Sequence, residues 1–83
     1  EEEMFMVAQT YEPGSKDFND VMQTAIRLFP TNATANLNTA IVLLNEGKAD
    51  DAKPYLDKAG NSKVKNVRGM TVSVKLLRMF VPS

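Results

Sequence analysis

Between Ala33 and Asn45 the residues Ala33, Leu37, Ala40, Ile41, Val42, Leu43 and Leu44 recur at helical spacing, and Ala52, Tyr55, Leu56 and Ala59 do so again between Ala49 and Ala59. Only Glu46, Gly47 and Lys48 separate the two runs. Glycine suits the end of a helix, where the chain needs a residue able to take positive φ, and so short a connection turns it straight back. The pattern predicts two antiparallel helices meeting through small side chains. Alanines let the backbones approach, and larger residues such as Leu43 and Leu56 fill the grooves beside them. Pro54 is the awkward residue, because a proline in a helix interior costs about 3 kcal/mol. The regular second helix is therefore expected to begin near Asp50 or Asp51, with Pro54 tolerated or producing a kink.

The preceding stretch reads as a further helical pair. Met4, Phe5, Ala8 and Tyr11 lie at helical spacing behind an acidic first turn, which the positive end of the helix dipole favours. Glu12-Pro13-Gly14 breaks that helix, and Ser15 is placed to cap a second one from Lys16 to Phe29. Its stripe of Phe18, Met22, Ala25, Ile26 and Phe29 should pack back on the first helix. Pro30 closes it, and Thr31 or Asn32 is placed to cap the next. After Gly60-Asn61, Ser62 is read as the cap of a fifth helix whose Val64, Val67, Met70, Val74, Leu77 and Val81 share one face. The alternation of Val72, Val74 and Leu76 fits a strand as well. A lone strand would have no partner among four helices, so a helix over 62–81 is the expectation, weakened by Gly69 and the β-branched residues.

Composition narrows the function. At 83 residues, 43% hydrophobic and 24% charged, the chain is one soluble globular domain. Ten basic residues balance ten acidic ones, so no overall field draws it to nucleic acid or acidic membranes. Glu1, Glu2 and Glu3 open the chain while Lys63, Lys65, Arg68, Lys75 and Arg78 make its end basic; solvated faces at opposite ends are the plain explanation. The absence of cysteine and histidine removes disulfides, thiolate chemistry, the commonest general base and the commonest metal ligand. No apolar run approaches the ~20 residues that span a bilayer, so no direct membrane insertion is expected. The abrupt start, and the end in Val81-Pro82-Ser83, read as those of a segment cut from something longer. Asp50-Asp51 reads as a helix start and Gly14-Ser15-Lys16 as a turn and cap, not as an acid pair or a phosphate loop. Neither an enzyme nor a cofactor site is expected.

From Ala33 to Ala59 the chain resembles a tetratricopeptide repeat, a helix-turn-helix unit of ~34 residues. Ala40 and Leu43 stand at the small and large positions of the repeat's first helix, Gly47 at its turn, and Ala52, Leu56 and Ala59 at the small, large and small positions of the second. Residues 2–30 match less well, keeping Ala25 and Pro30 but shortening the turn at Pro13-Gly14, and read as a degenerate first hairpin. Residues 62–81 look like the first helix of an incomplete further repeat, with Gly69 at the small position and Val72 at the large one. The resemblance implies an all-α fold of about five helices in a right-handed superhelix. More narrowly, the run from Glu2 through Ala59 to Arg68-Gly69 is similar to repeat regions of Bacteroides-type envelope proteins that carry an OmpA-like domain elsewhere. That likeness implies a place in the bacterial cell envelope.

Repeat proteins of this family bind a peptide or helix of a partner protein on the concave face of their first helices. Carried over, that face comprises Phe5 and Gln9, then Thr34, Leu37, Asn38, Ile41 and Asn45, then Lys63, Asn66 and Met70. Its asparagines are suited to pairing with a peptide backbone, although for Asn38 or Asn45 taken singly, capping, solvating or punctuating a helix end is the plainer explanation. A carboxylate clamp is unsupported, because Phe5 stands where a lysine would be needed. With the next helix missing, an apolar face must be covered by the rest of a parent protein, a terminal rearrangement or a second copy, and Met79 and Phe80 are the candidates for self-association into a homodimer. The expected function is a protein-interaction scaffold. The alternative is a structural spacer or packing subdomain of a larger envelope protein, self-associating through its last helix.

Overall fold

Four helices followed by a β-hairpin and a last helical turn make up the computed structural model, which describes residues 2–81. Of the acidic opening, Glu1 and the side chain of Glu2 lie outside the described part, as do Pro82 and Ser83 at the end. Helix α1 (Glu2–Ala8) packs on α2 (Lys16–Leu28), α2 on α3 (Ala33–Asn45), and α3 on α4 (Ala49–Ala59). The molecule is mostly helical, as its periodicity predicts.

Local chemistry accounts for the boundaries. Ser15 sits in the extended region and its Oγ accepts from the Phe18 N–H at 3.2 Å, and Asn32 Oδ1 does the same for the Ala35 N–H at 2.9 Å. Asn32, not Thr31, is thus the cap of α3. At the end of α3, Gly47 takes φ 76°, its N–H bonds to Leu44 O, and the Lys48 N–H reaches back to Leu43 O at 2.8 Å. These paired bonds close the helix in a Schellman motif. Helix α4 starts at Ala49, a residue or two before the expected point, and runs through Pro54. Pro54 is exposed, so the Asp50 carbonyl it leaves without an intrahelical donor is on the solvent side.

Two cores result. One joins Leu37 and Ala40 of α3 with Ala52, Leu56 and Ala59 of α4, all buried, and Ala40 and Ala52 are wholly inaccessible where the helices cross. The other gathers Ala8, Phe18, Met22 and Val42, flanked by Phe5, Tyr11 and Val21.

The expected fifth helix over 62–81 is not there. Strand β1 (Lys63–Lys65) pairs antiparallel with β2 (Thr71–Ser73), with Lys63 opposite Ser73, Val64 opposite Val72 and Lys65 opposite Thr71. A four-residue helix α5 (Val74–Leu77) and a 3₁₀ turn (Arg78–Phe80) follow. Ser62 therefore caps no helix; its carbonyl accepts from the Val74 N–H at 3.2 Å, extending the hairpin. The strand's partner lies within the same segment, a pairing that the argument from four helices overlooks. Asn66 makes the turn: its N–H bonds to Met70 O, its carbonyl accepts from Gly69, and its Oδ1 accepts from the Arg68 and Met70 N–H groups at 2.9 and 3.0 Å. Gly69, which weakens a helix by about 1 kcal/mol, sits here at φ 79° where a glycine is wanted.

The hairpin lies across both cores. Val64, Val72 and Val74 pack on the α3–α4 core, with Val74 fully buried, while Val67 at the tip is inserted among Ala8, Phe18, Met22 and Val42. The apolar face of the α3–α4 pair is thus covered by the terminal segment of the same chain.

Candidate interaction surface

The face of α3 expected from the resemblance to meet a partner is divided into three parts in the structure. At its start, Thr34 Oγ1 donates to the Lys65 carbonyl of β1 at 2.8 Å. In its middle, Leu37 is fully buried in the core that the hairpin covers, and Asn38 is only 7% exposed with its amide donating to Thr34 O in its own helix. At its end, Ile41 is half-buried and Asn45 exposed. Leu37 and Asn38 are therefore closed to a partner: Leu37 lies in the core with Val64, Val72 and Val74, and the Asn38 amide is spent within its own helix.

Two grooves flank the closed middle. One, of about 570 Å3, runs between the end of α1 and the hairpin tip and is lined by Phe5, Met6, Gln9, Thr34 and Asn66 together with Lys65 and Arg68. Gln9 Nε2 crosses its floor to donate to the Val67 carbonyl. The other, of about 440 Å3, lies at the turn end of α3, between Ile41, Leu44, Asn45, Leu77 and Phe80. The first thus brings together Phe5, Gln9, Thr34 and Asn66; the second joins Ile41 and Asn45 to Phe80. A cleft of about 410 Å3 between α1 and α2 contains none of the residues proposed from sequence.

The remaining proposed residues are not on a helix face. Lys63 is exposed on β1, on the opposite side of the pleat from Val64, and Met70 is exposed just before β2. The Asn66 carboxamide oxygen is engaged by the turn and is not offered to a peptide backbone. Met79 is 78% and Phe80 71% exposed, beside an exposed Leu76.

Two residues that sequence reading passes over hold this surface in place. Arg78 donates to Leu56 O and Gly60 O, both at 3.0 Å, and pairs with Asp57 at 2.7 Å, so a cation caps the end of α4 and anchors the last turn beside the second groove. Asn36, fully buried, donates to Pro30 O and Asn32 O and fixes the α2–α3 corner. Helical spacing marks neither, since each acts on backbone carbonyls of a neighbouring turn.

Electrostatically the two ends differ. Five cations accompany ten acids before Gly60 and five cations accompany none after it, for formal charges of −5 and +5. Among the described residues, Lys63, Lys65, Arg68 and Lys75 have no carboxylate partner. Lys16, which lines neither groove, has its pKa raised by a hydrogen bond from its ammonium to Asp20 and by attraction to that carboxylate. No group of three or more His, Cys, Asp or Glu residues able to hold a metal occurs among the described residues, and no helix there is long and apolar enough to cross a membrane.

Comparison with known proteins gives no match, whether to a family model, to a curated protein or to a solved structure.

Proposed function

We propose that this domain is a protein-interaction scaffold related to tetratricopeptide repeats, receiving a peptide or helix of a partner protein in the grooves on either side of its hairpin. On this reading α1–α2 is a degenerate repeat, α3–α4 a complete one wound in the right-handed sense of the family, and the hairpin stands where the next repeat would begin. The supporting observation is that Phe5, Gln9, Thr34 and Asn66 on one side and Ile41 and Asn45 on the other, all chosen from sequence to face one way, line open grooves at the two ends of α3. Each groove pairs apolar surface with polar groups, the combination that fixes both affinity and register of a bound segment.

Selection from a random peptide display library tests this reading. The scaffold should enrich peptides whose binding falls in Phe80→Ser or Met6→Ser, both exposed positions that the fold tolerates. Failure to enrich any peptide, or peptides indifferent to both substitutions, would sink it.

The exposure of Leu76, Met79 and Phe80 favours a second reading, a spacer that associates with another copy of itself. Light scattering across a concentration series distinguishes the two. A dimer that Met79→Ser with Phe80→Ser dissociates supports assembly, and a monomer at every concentration removes it.

A further inference from the structure

We infer that the groove at the hairpin tip takes an acidic, extended segment of a partner protein, with apolar side chains on Phe5 and Met6 and carboxylates on Lys65 and Arg68. This specifies the ligand chemistry of one groove and rests on the scaffold reading. The argument begins with the hairpin. Its segment carries no acidic residue, and neither Lys65 nor Arg68 is neutralised by a described carboxylate, so both cations are available at the rim. Across the groove, Met6 is 65% exposed and Phe5 half-buried, an apolar wall that neither the hairpin nor α2 covers. A ligand that satisfies both walls has negative charge along one edge and apolar side chains along the other, which an extended chain supplies by alternation. The cations come from the hairpin and its turn, so no free terminal carboxylate is required. Nucleic acid fits less well. The remainder of the chain is at −5 and repels a long polyanion, whereas a short segment meets only the local positive field.

The test uses a fluorescein-labelled peptide of glutamates alternating with leucines, blocked at both ends, followed by anisotropy with the intact domain. Binding is expected, weakening as salt rises from about 0.1 M to about 1 M and the screening length falls from about 10 Å to about 3 Å. Replacing glutamate by glutamine in the peptide, or combining Lys65→Glu with Arg68→Glu in the protein, should lower affinity about tenfold. Both protein positions contribute only backbone groups to the described hydrogen bonds, so the hairpin persists, which the circular dichroism spectrum and melting temperature verify. No binding, or binding unchanged in the double variant, overturns the inference. So does a single-stranded oligonucleotide that displaces the peptide more effectively than unlabelled peptide does. If the display selection yields ligands without acidic residues that depend on Phe80, the scaffold reading survives and this inference fails.

Discussion

The α3–α4 pair and the hairpin that covers it share one core but are attached by different means. The helices meet through Ala40, Ala52 and Ala59, packed so closely that only Ala59 retains any exposure, and the turn between them is closed within a few residues. The hairpin's valines pack on the cores as well, but the terminal segment is also tied by side chains that reach far along the sequence: Gln9 to Val67 over 58 residues and Thr34 to Lys65 over 31 hold the hairpin, and Arg78 to Leu56 over 22 holds the last turn. Apolar contact between neighbours in sequence costs little chain entropy to form, whereas long-range polar ties must offset loop closure and compete with water. The helical pair should therefore be the more resistant unit, and the hairpin the first to open.

Substitutions can break this comparison. Leu56→Ala removes a fully buried side chain from the shared core and should cost about 2–5 kcal/mol, read as a lower denaturant midpoint for the entire domain. Val74→Ala should cost about 2 kcal/mol. Its effect should concentrate in hydrogen exchange of the Asn66 and Val74 amides while the amides of α3 keep their protection; equal loss in both places would show that hairpin and helices open together. Arg78→Ala withdraws a half-buried cation from two carbonyls and a carboxylate, and about 1–3 kcal/mol of stability should go with it. The smallest effect is expected at the two turns. Gly47→Ala and Gly69→Ala each force a side chain into positive φ at about 1–2 kcal/mol, the first loosening the helical pair and the second the hairpin. A thermal melt that ranks Gly69→Ala as the more harmful of the two would reverse the proposed order of resistance.

The helices were legible because their signals are local. Ser15, Asn32 and Gly47 act within four residues of themselves, and the spacing of Ala52, Leu56 and Ala59 is a property of one helix. The end of the chain was legible only in part. Helical spacing puts Val64, Val67, Val74, Leu77 and Val81 on one face; all are wholly or partly buried, but Met70, which the same spacing puts there, is exposed. Residues spaced for one side of a helix also alternate well enough for strands, and burial alone does not separate the two. The deciding signal was the turn, an asparagine followed three residues later by a glycine between β-branched runs. Of the proposed surface, Phe5, Gln9, Thr34, Asn66, Ile41 and Asn45 reach the grooves. Leu37 and Asn38 do not: Leu37 lies in a core closed partly by a segment whose shape no local pattern settles, and the Asn38 amide is spent within α3.

The reach of Gln9 to Val67 has a consequence for how the molecule comes into being. Synthesis runs from the N-terminus, so α1 is made long before the hairpin tip to which it is tied. At about 5–20 residues per second, the ribosome takes roughly one to three seconds to add the stretch between Ala59 and Val74. Throughout that interval α4 can already cover Ala40, but the valines that close the other side of the shared core have not been added. A chain stalled at that point would keep the hairpin side of α3 open, the side that the finished domain closes with Val64, Val72 and Val74.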